Sequence, residues 1–230
     1  MRWVRMGWTA RAAGLVAILG AIGCGSGSSA AQQPSGAHVL FLQLEGQVLH
    51  PGPDDARTNA SALVATTVTL PAYLAGDAQR TAKIQAISDE VETLLRPYDV
   101  LVTRARPASG AFDMVVLGGS STQAGLAAGL LGIAPIDCAA GPTHVALVFD
   151  LATGHDAARQ VIAALALGHA IPPSSAPADC LCAGAGCTVN LAAPCSIGGP
   201  GTPVASGAAC TSATTMDEGA LLRSAFGPHP

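Results

Sequence analysis

The chain has 230 residues, half of them hydrophobic, with only 11% charged and 3% aromatic. Its formal net charge is -4, its single lysine is Lys83, and no basic cluster occurs, so a nucleic-acid-binding surface is excluded. The length behind the leader suits one domain with a full hydrophobic core.

Arg2, Arg5 and Arg11 form a basic start, and residues 12–22 are an apolar run too short to span a bilayer as a mature helix. The run ends in Ala21-Ile22-Gly23-Cys24, which resembles a bacterial lipobox. Residues 1–23 then form a lipoprotein signal peptide and Cys24 is the lipidated residue; an ordinary signal peptide followed by a chance cysteine is the alternative. Residues 24–36 contain Gly25-Ser26-Gly27-Ser28-Ser29 and read as a flexible tether. Lipid on Cys24 would attach residues 37–230 to a membrane without a spanning helix. Gly25, rather than Asp, after the cysteine suits the outer membrane of a cell that has one.

Residues 37–44 are a continuous apolar run bounded by glycines, as a buried strand requires. Residues 50–59 form a Pro-Gly-rich turn, and residues 61–70, rich in Val and Thr, read as an extended edge segment. Asp77 is placed to cap a helix whose apolar positions Ile84, Ile87, Val91, Leu94 and Leu95 repeat at three and four; Pro97 stops it. Residues 100–106 and 112–117 predict two strands joined by a turn at 107–110. Residues 118–141, rich in Gly and Ala, read as a long loop across the sheet. Residues 144–150 predict another strand, and Gly154-His155-Asp156 opens a helix that ends at Gly168-His169. The tail shows no periodicity.

Apart from Cys24, six cysteines remain: Cys138, Cys180, Cys182, Cys187, Cys195 and Cys210. An even number in an exported chain predicts up to three disulfides, with the pairing left open. A zinc cluster of Cys180, Cys182, Cys187 and Cys195 is disfavoured, because no CxxC pair is present and the compartment is oxidising.

Residues 165–175 read Leu-Ala-Leu-Gly-His-Ala-Ile-Pro-Pro-Ser-Ser. Anchored on Gly168-His169, the stretch resembles the H-E-x-x-H-x-x-G-x-x-H helix of the metzincin-type zinc metallopeptidases, in which histidines bind zinc and the glutamate activates water. Residues 112–119, 132–138 and 178–182 are similar to segments of exported bacterial members of that family. The resemblance implies an α+β fold: a twisted mixed sheet with two main helices above a cysteine-rich, coil-rich lower part that begins near residue 170. It also implies that the chemistry is broken. Leu165 stands where the first ligand belongs, Ala166 where the general base belongs, Pro172 at the turn glycine and Ser175 at the third ligand; only His169 survives.

One imidazole cannot hold a catalytic zinc, which takes three protein ligands and a water. His155 lies fourteen residues before His169, too far along a helix to share an ion. His38 and His144 open different strands, and neither is expected beside His169. Asp179 reads as a turn residue next to Cys180 rather than a substitute ligand. Asp150 and Asp156 read as acids complementing the helix start. The Asp54-Asp55 pair is poor support for a calcium site, and no P-loop, dinucleotide motif or nucleophile elbow occurs.

The expectation is thus a lipid-anchored, exported, metallopeptidase-like protein without catalytic residues or cofactor. It would act in binding or envelope interaction through an unidentified protein or peptide partner. The alternatives are an active, divergent zinc enzyme whose ligands come from elsewhere, and a disulfide-stabilised surface lipoprotein unrelated to proteases.

Overall fold

The computed structural model describes residues 36–182, 190 and 193–230. The signal peptide, Cys24, nearly all of the tether, and Cys187 lie outside these residues. Among those described, no helix is long and apolar enough to cross a membrane.

The protein is a mixed α+β structure. Its strands are β1 (His38–Gln43), β2 (Gln47–Pro51), β3 (Ala60–Ser61), β4 (Val68–Leu70), β5 (Val100–Thr103), β6 (Asp113–Leu117), β7 (Gly132–Ile133), β8 (Val145–Val148), β9 (Pro200–Pro203) and β10 (Thr215–Asp217). Its helices are α1 (Arg80–Leu95), α2 (His155–Gly168) and α3 (Glu218–Phe226). The central sheet has the order β5-β1-β6-β8-β7. Four of its strands run parallel, and β7 closes the edge antiparallel to β8.

The continuous apolar runs of β1, β6 and β8 are explained by burial of both sheet faces. Leu40, Leu42, Val115, Leu117, Ala146 and Val148 point to one side, where α1 and α2 pack. The alternate residues Val39, Phe41, Met114, Val116, Val145 and Leu147 point to the other. There Leu49, Val64 and Leu70, from the small β3-β2-β4 sheet and its connections, cover them.

Several elements depart from the sequence reading. Asp77 does not cap α1: it lies outside the helix, where its carboxylate accepts the Gln79 N–H and binds Lys83. The loop at 118–141 contains β7, whose two residues are too few to show a period. The tail is not wholly irregular, and a third helix joins the two expected. Asp217 accepts the Ala220 N–H at 2.9 Å as the α3 cap, and Leu222 and Phe226 bury its inner face. Asp150 accepts the N–H of Leu74 across the fold and Asp54 that of Ala62, while Asp179 accepts the N–H of Leu181 as the turn residue expected. Asp156 lies buried in the first turn of α2.

The lower part is held by covalent and polar ties rather than by a large core of its own. Cys138 bonds to Cys210 across a separation of 72 residues, and Cys180 bonds to Cys195. Cys182 is disulfide-bonded as well. Beside them lies a buried acid pair. Glu218 Oε2 accepts the Gly198 N–H at 2.8 Å, while its Oε1 turns toward the buried carboxylate of Asp179. Burial and the Asp179 carboxylate push the Glu218 carboxyl up to about 9, so at neutral pH Glu218 keeps its proton and donates it to Asp179. Arg159 reaches from α2 to the Asp179 carbonyl and ties the helix to this pair.

Two outcomes follow from these ties. Replacing Cys138 and Cys210 together by serine removes a long loop closure, and the expected loss is about 2–4 kcal/mol in denaturant unfolding. A raised carboxyl pKa contributes stability that is complete below the ordinary value of 4.5 and is lost as pH climbs toward about 9. Glu218→Gln keeps an acceptor for Gly198 and a donor for Asp179 without that loss. Its thermal midpoint should match the parent at pH 4 and exceed it at pH 8 by at least ~1 kcal/mol, or about 2–4 °C; equal midpoints at both pH values would refute the shared proton.

Candidate functional site

The sheet topology produces a polar cluster at one end. Because β1, β6 and β8 are adjacent and parallel, their N-terminal ends lie side by side. Each run opens with a polar residue on the helix-facing side: His38 two residues before Leu40, Asp113 two before Val115, and His144 two before Ala146. The helix α2 leaves β8 and runs back over the sheet, so its C-terminal end returns to this same edge and delivers His169.

Asp113 is the centre of the cluster. Its Oδ2 accepts from His38 Nε2 at 2.8 Å and from His169 Nε2 at 2.6 Å. Its Oδ1 accepts the backbone N–H of His144 at 2.8 Å and the His144 Nδ1 at 3.3 Å. Burial alone would raise this carboxyl; the hydrogen bonds from His144, His169 and His38 outweigh it and hold Asp113 well below the usual carboxylate range. The other ring nitrogen of His144 donates to Asp137 Oδ2 at 3.2 Å. With a carboxylate at each nitrogen, His144 is raised above its ordinary value although burial pulls it down. Asp137 is itself fixed by the N–H groups of Gly141 and Ala139. Phe226 of α3 covers the cluster, its ring 4.8 Å from that of His38 and 4.7 Å from that of His169.

Two local features place His169. Gly168 packs directly on the His144 ring, where a Cβ would stand 2.8 Å from Nδ1, so any side chain there would push the helix end away. The helix then stops in a Schellman turn. His169 is the cap, Ala170 takes a left-handed φ of 60°, and the Ile171 N–H returns to the Ala166 carbonyl at 3.0 Å. The chain therefore turns at Ala170, two residues before Pro172.

The expectation that His38 and His144 stand apart from His169 is overturned. That expectation followed sequence order, whereas β5 pairs on the outer side of β1 and leaves β1 free to meet β6. His155 does lie elsewhere, at the start of α2, where it donates to Glu90 at 2.7 Å. Among the degenerate motif positions, Leu165 is 3% exposed and Ala166 fully buried, both within the core between α2 and the sheet. Pro172 is buried and Ser175 half-buried, its N–H donating to the Pro203 carbonyl. These residues do not fit a zinc ion: no donor atom stands at 165 or 166, and both side chains are buried among apolar residues. A cleft of about 190 Å³ opens beyond the helix end, lined by Ile136, Leu167, Ile171, Pro172, Pro173 and the 205–210 turn.

Comparison with protein-family models, curated proteins and solved structures yields no match to this chain.

The left-handed Ala170 supplies a direct check on the helix terminus that presents His169. A left-handed L-residue costs roughly 1–2 kcal/mol, part of which a glycine regains. Ala170→Gly is expected to stabilise the protein by about 0.5–1 kcal/mol in urea unfolding; a loss of stability would mean that the helix ends differently.

Proposed function

We propose that this chain is an exported, lipid-anchored protein on a metzincin-like metallopeptidase scaffold that lacks peptidase chemistry and acts by binding a protein or peptide partner at the cell envelope. The observation that carries this reading is the sealing of Leu165 and Ala166 inside the core. A peptidase on this helix would need a metal ligand and a water-activating carboxylate at those positions, both facing a cleft. Here the two side chains instead add apolar burial, worth about 1.5–3 kcal/mol for the leucine.

The architecture supports the scaffold. A mixed sheet lies above α2, which follows the last parallel strand and ends in a sharp turn; a coil-rich part stapled by disulfides comes after it. The disulfides also fit an oxidising, exported setting, and the lipobox-like Cys24 supplies the attachment. An apolar cleft beyond the end of α2 offers a surface for an extended peptide.

The test has two arms. Purified full-length protein given equimolar zinc should hydrolyse neither casein nor a mixture of fluorogenic peptides above the buffer rate. Chelator-sensitive turnover that disappears in His169→Ala would overturn the reading. In the second arm, the double substitution Leu165→His with Ala166→Glu restores the motif residues but buries an imidazole and a carboxylate in the core. It should lose about 3–5 kcal/mol of stability; an unchanged midpoint would mean that these positions open to solvent.

A further inference from the structure

We infer that His38, Asp113 and His169 form a binding site for one divalent transition-metal ion of the zinc class, at the sheet edge and independent of the degenerate helix motif. The inference does not rest on the loss of peptidase chemistry. It rests on three donors brought from three separate elements to one point. The two imidazole nitrogens and a carboxylate oxygen all lie within 4.8 Å of one another. Ligands at about 2.0–2.2 Å from zinc stand roughly 3.3 Å apart in tetrahedral geometry. The present contacts of 2.8 and 2.6 Å from Asp113 Oδ2 to the two Nε2 atoms need to open by about 0.5 and about 0.7 Å, and the two imidazole nitrogens must settle at the same spacing from each other. The rings coordinate as neutral imidazoles through the same Nε2 atoms, with their protons on Nδ1.

The surroundings are those of a metal centre rather than of a stray ion pair. A ligating carboxylate needs its second oxygen held by neighbouring donors, and that shell sets its orientation. Here Asp113 Oδ1 takes both the backbone N–H and the ring nitrogen of His144, and His144 is in turn fixed by Asp137. His144 is thus a positioning residue. Phe226 shields the site from one side, lowering the local dielectric and favouring charge neutralisation by a cation. The donors are two nitrogens and one oxygen, which suits zinc, cobalt or nickel over calcium or magnesium. The fourth position is left for a water.

The experiment uses the full-length protein, purified in mild detergent without chelator, stripped of metal and titrated with Zn²⁺ by calorimetry. One ion per chain is expected. His38→Gln, His169→Gln and Asp113→Asn should each weaken binding at least ~10-fold, and His144→Asn about 10–100-fold. His155→Gln, outside the cluster, should bind as the parent does. No uptake by folded parent protein, or unchanged affinity in both His38→Gln and His169→Gln, would overturn the site. Should those variants fail to fold, the parent protein still decides. X-ray absorption of its zinc complex should show a nitrogen–oxygen shell with two imidazoles, and a sulfur ligand or a single imidazole would overturn the assignment. Peptide hydrolysis by the loaded protein would count against the inactive reading while leaving the site in place, so the two fail separately.

Discussion

Asp113 imposes the constraint around which the upper part of the molecule is arranged. A carboxylate this deeply buried is costly unless its lone pairs are filled. Three rings and one backbone N–H fill them, and these come from β1, the start of β8 and the end of α2. The anion therefore fixes relationships that apolar packing leaves adjustable. A sheet of Val, Leu and Ala tolerates small slides of a helix across it, but His169 must reach one oxygen atom. Gly168 belongs to the same constraint, because only a residue without a side chain lets the helix end settle against His144.

The lower part obeys a second requirement. It has short strands and one nine-residue helix, so ordering its backbone is offset by little local hydrogen bonding. Disulfides lower that cost by restricting the unfolded chain. The Arg159–Asp179–Glu218 group then fixes orientation, as α2 donates to the Asp179 carbonyl and Glu218 donates its proton to the Asp179 carboxylate. The helix α2 is thus gripped by its flank and by its end. The lower part also reaches the upper cluster directly, because α3 lays Phe226 over His38 and His169.

Much of this architecture was legible in the sequence, and the losses have physical causes. The apolar runs of β1, β6 and β8 and the three-four spacing of α1 are local signals that mark these elements to within a few residues, whereas α2, buried on nearly every side, is bounded by Gly154-His155-Asp156 and Gly168-His169 rather than by spacing. The element β7 pairs only because β8 offers an edge, so no local pattern announces it. The helix α3 did carry a signal, with Asp217 and Glu218 at its start, Leu222 and Phe226 four apart, and Gly227 at its end, but in a window of nine residues. The cluster was the largest omission. Three strands each open with His or Asp before an apolar run, a pattern visible in the chain; it becomes a site only once the strands are known to be parallel and adjacent. Strand order is a nonlocal property, and spacing along the chain does not encode it.

The same geometry explains why His169 is a histidine while its neighbours in the motif-like stretch are not. Leu165 and Ala166 lie one turn back along α2, over the middle of the sheet, where Ala146, Val115 and Leu117 offer only carbon. A polar side chain there would be buried without a partner, at a cost of several kcal/mol in this setting. His169 lies past the last turn, over the sheet edge, where the Asp113 carboxylate waits at 2.6 Å. The boundary between apolar and polar along this helix therefore coincides with the boundary between the interior of the sheet and its edge. The partner that gives His169 its place is an aspartate at the head of β6, and no second group on the same helix is required. A histidine retained for that reason needs no catalytic neighbours, and whatever acts on the Asp113 cluster acts at once on three strands and the end of α2.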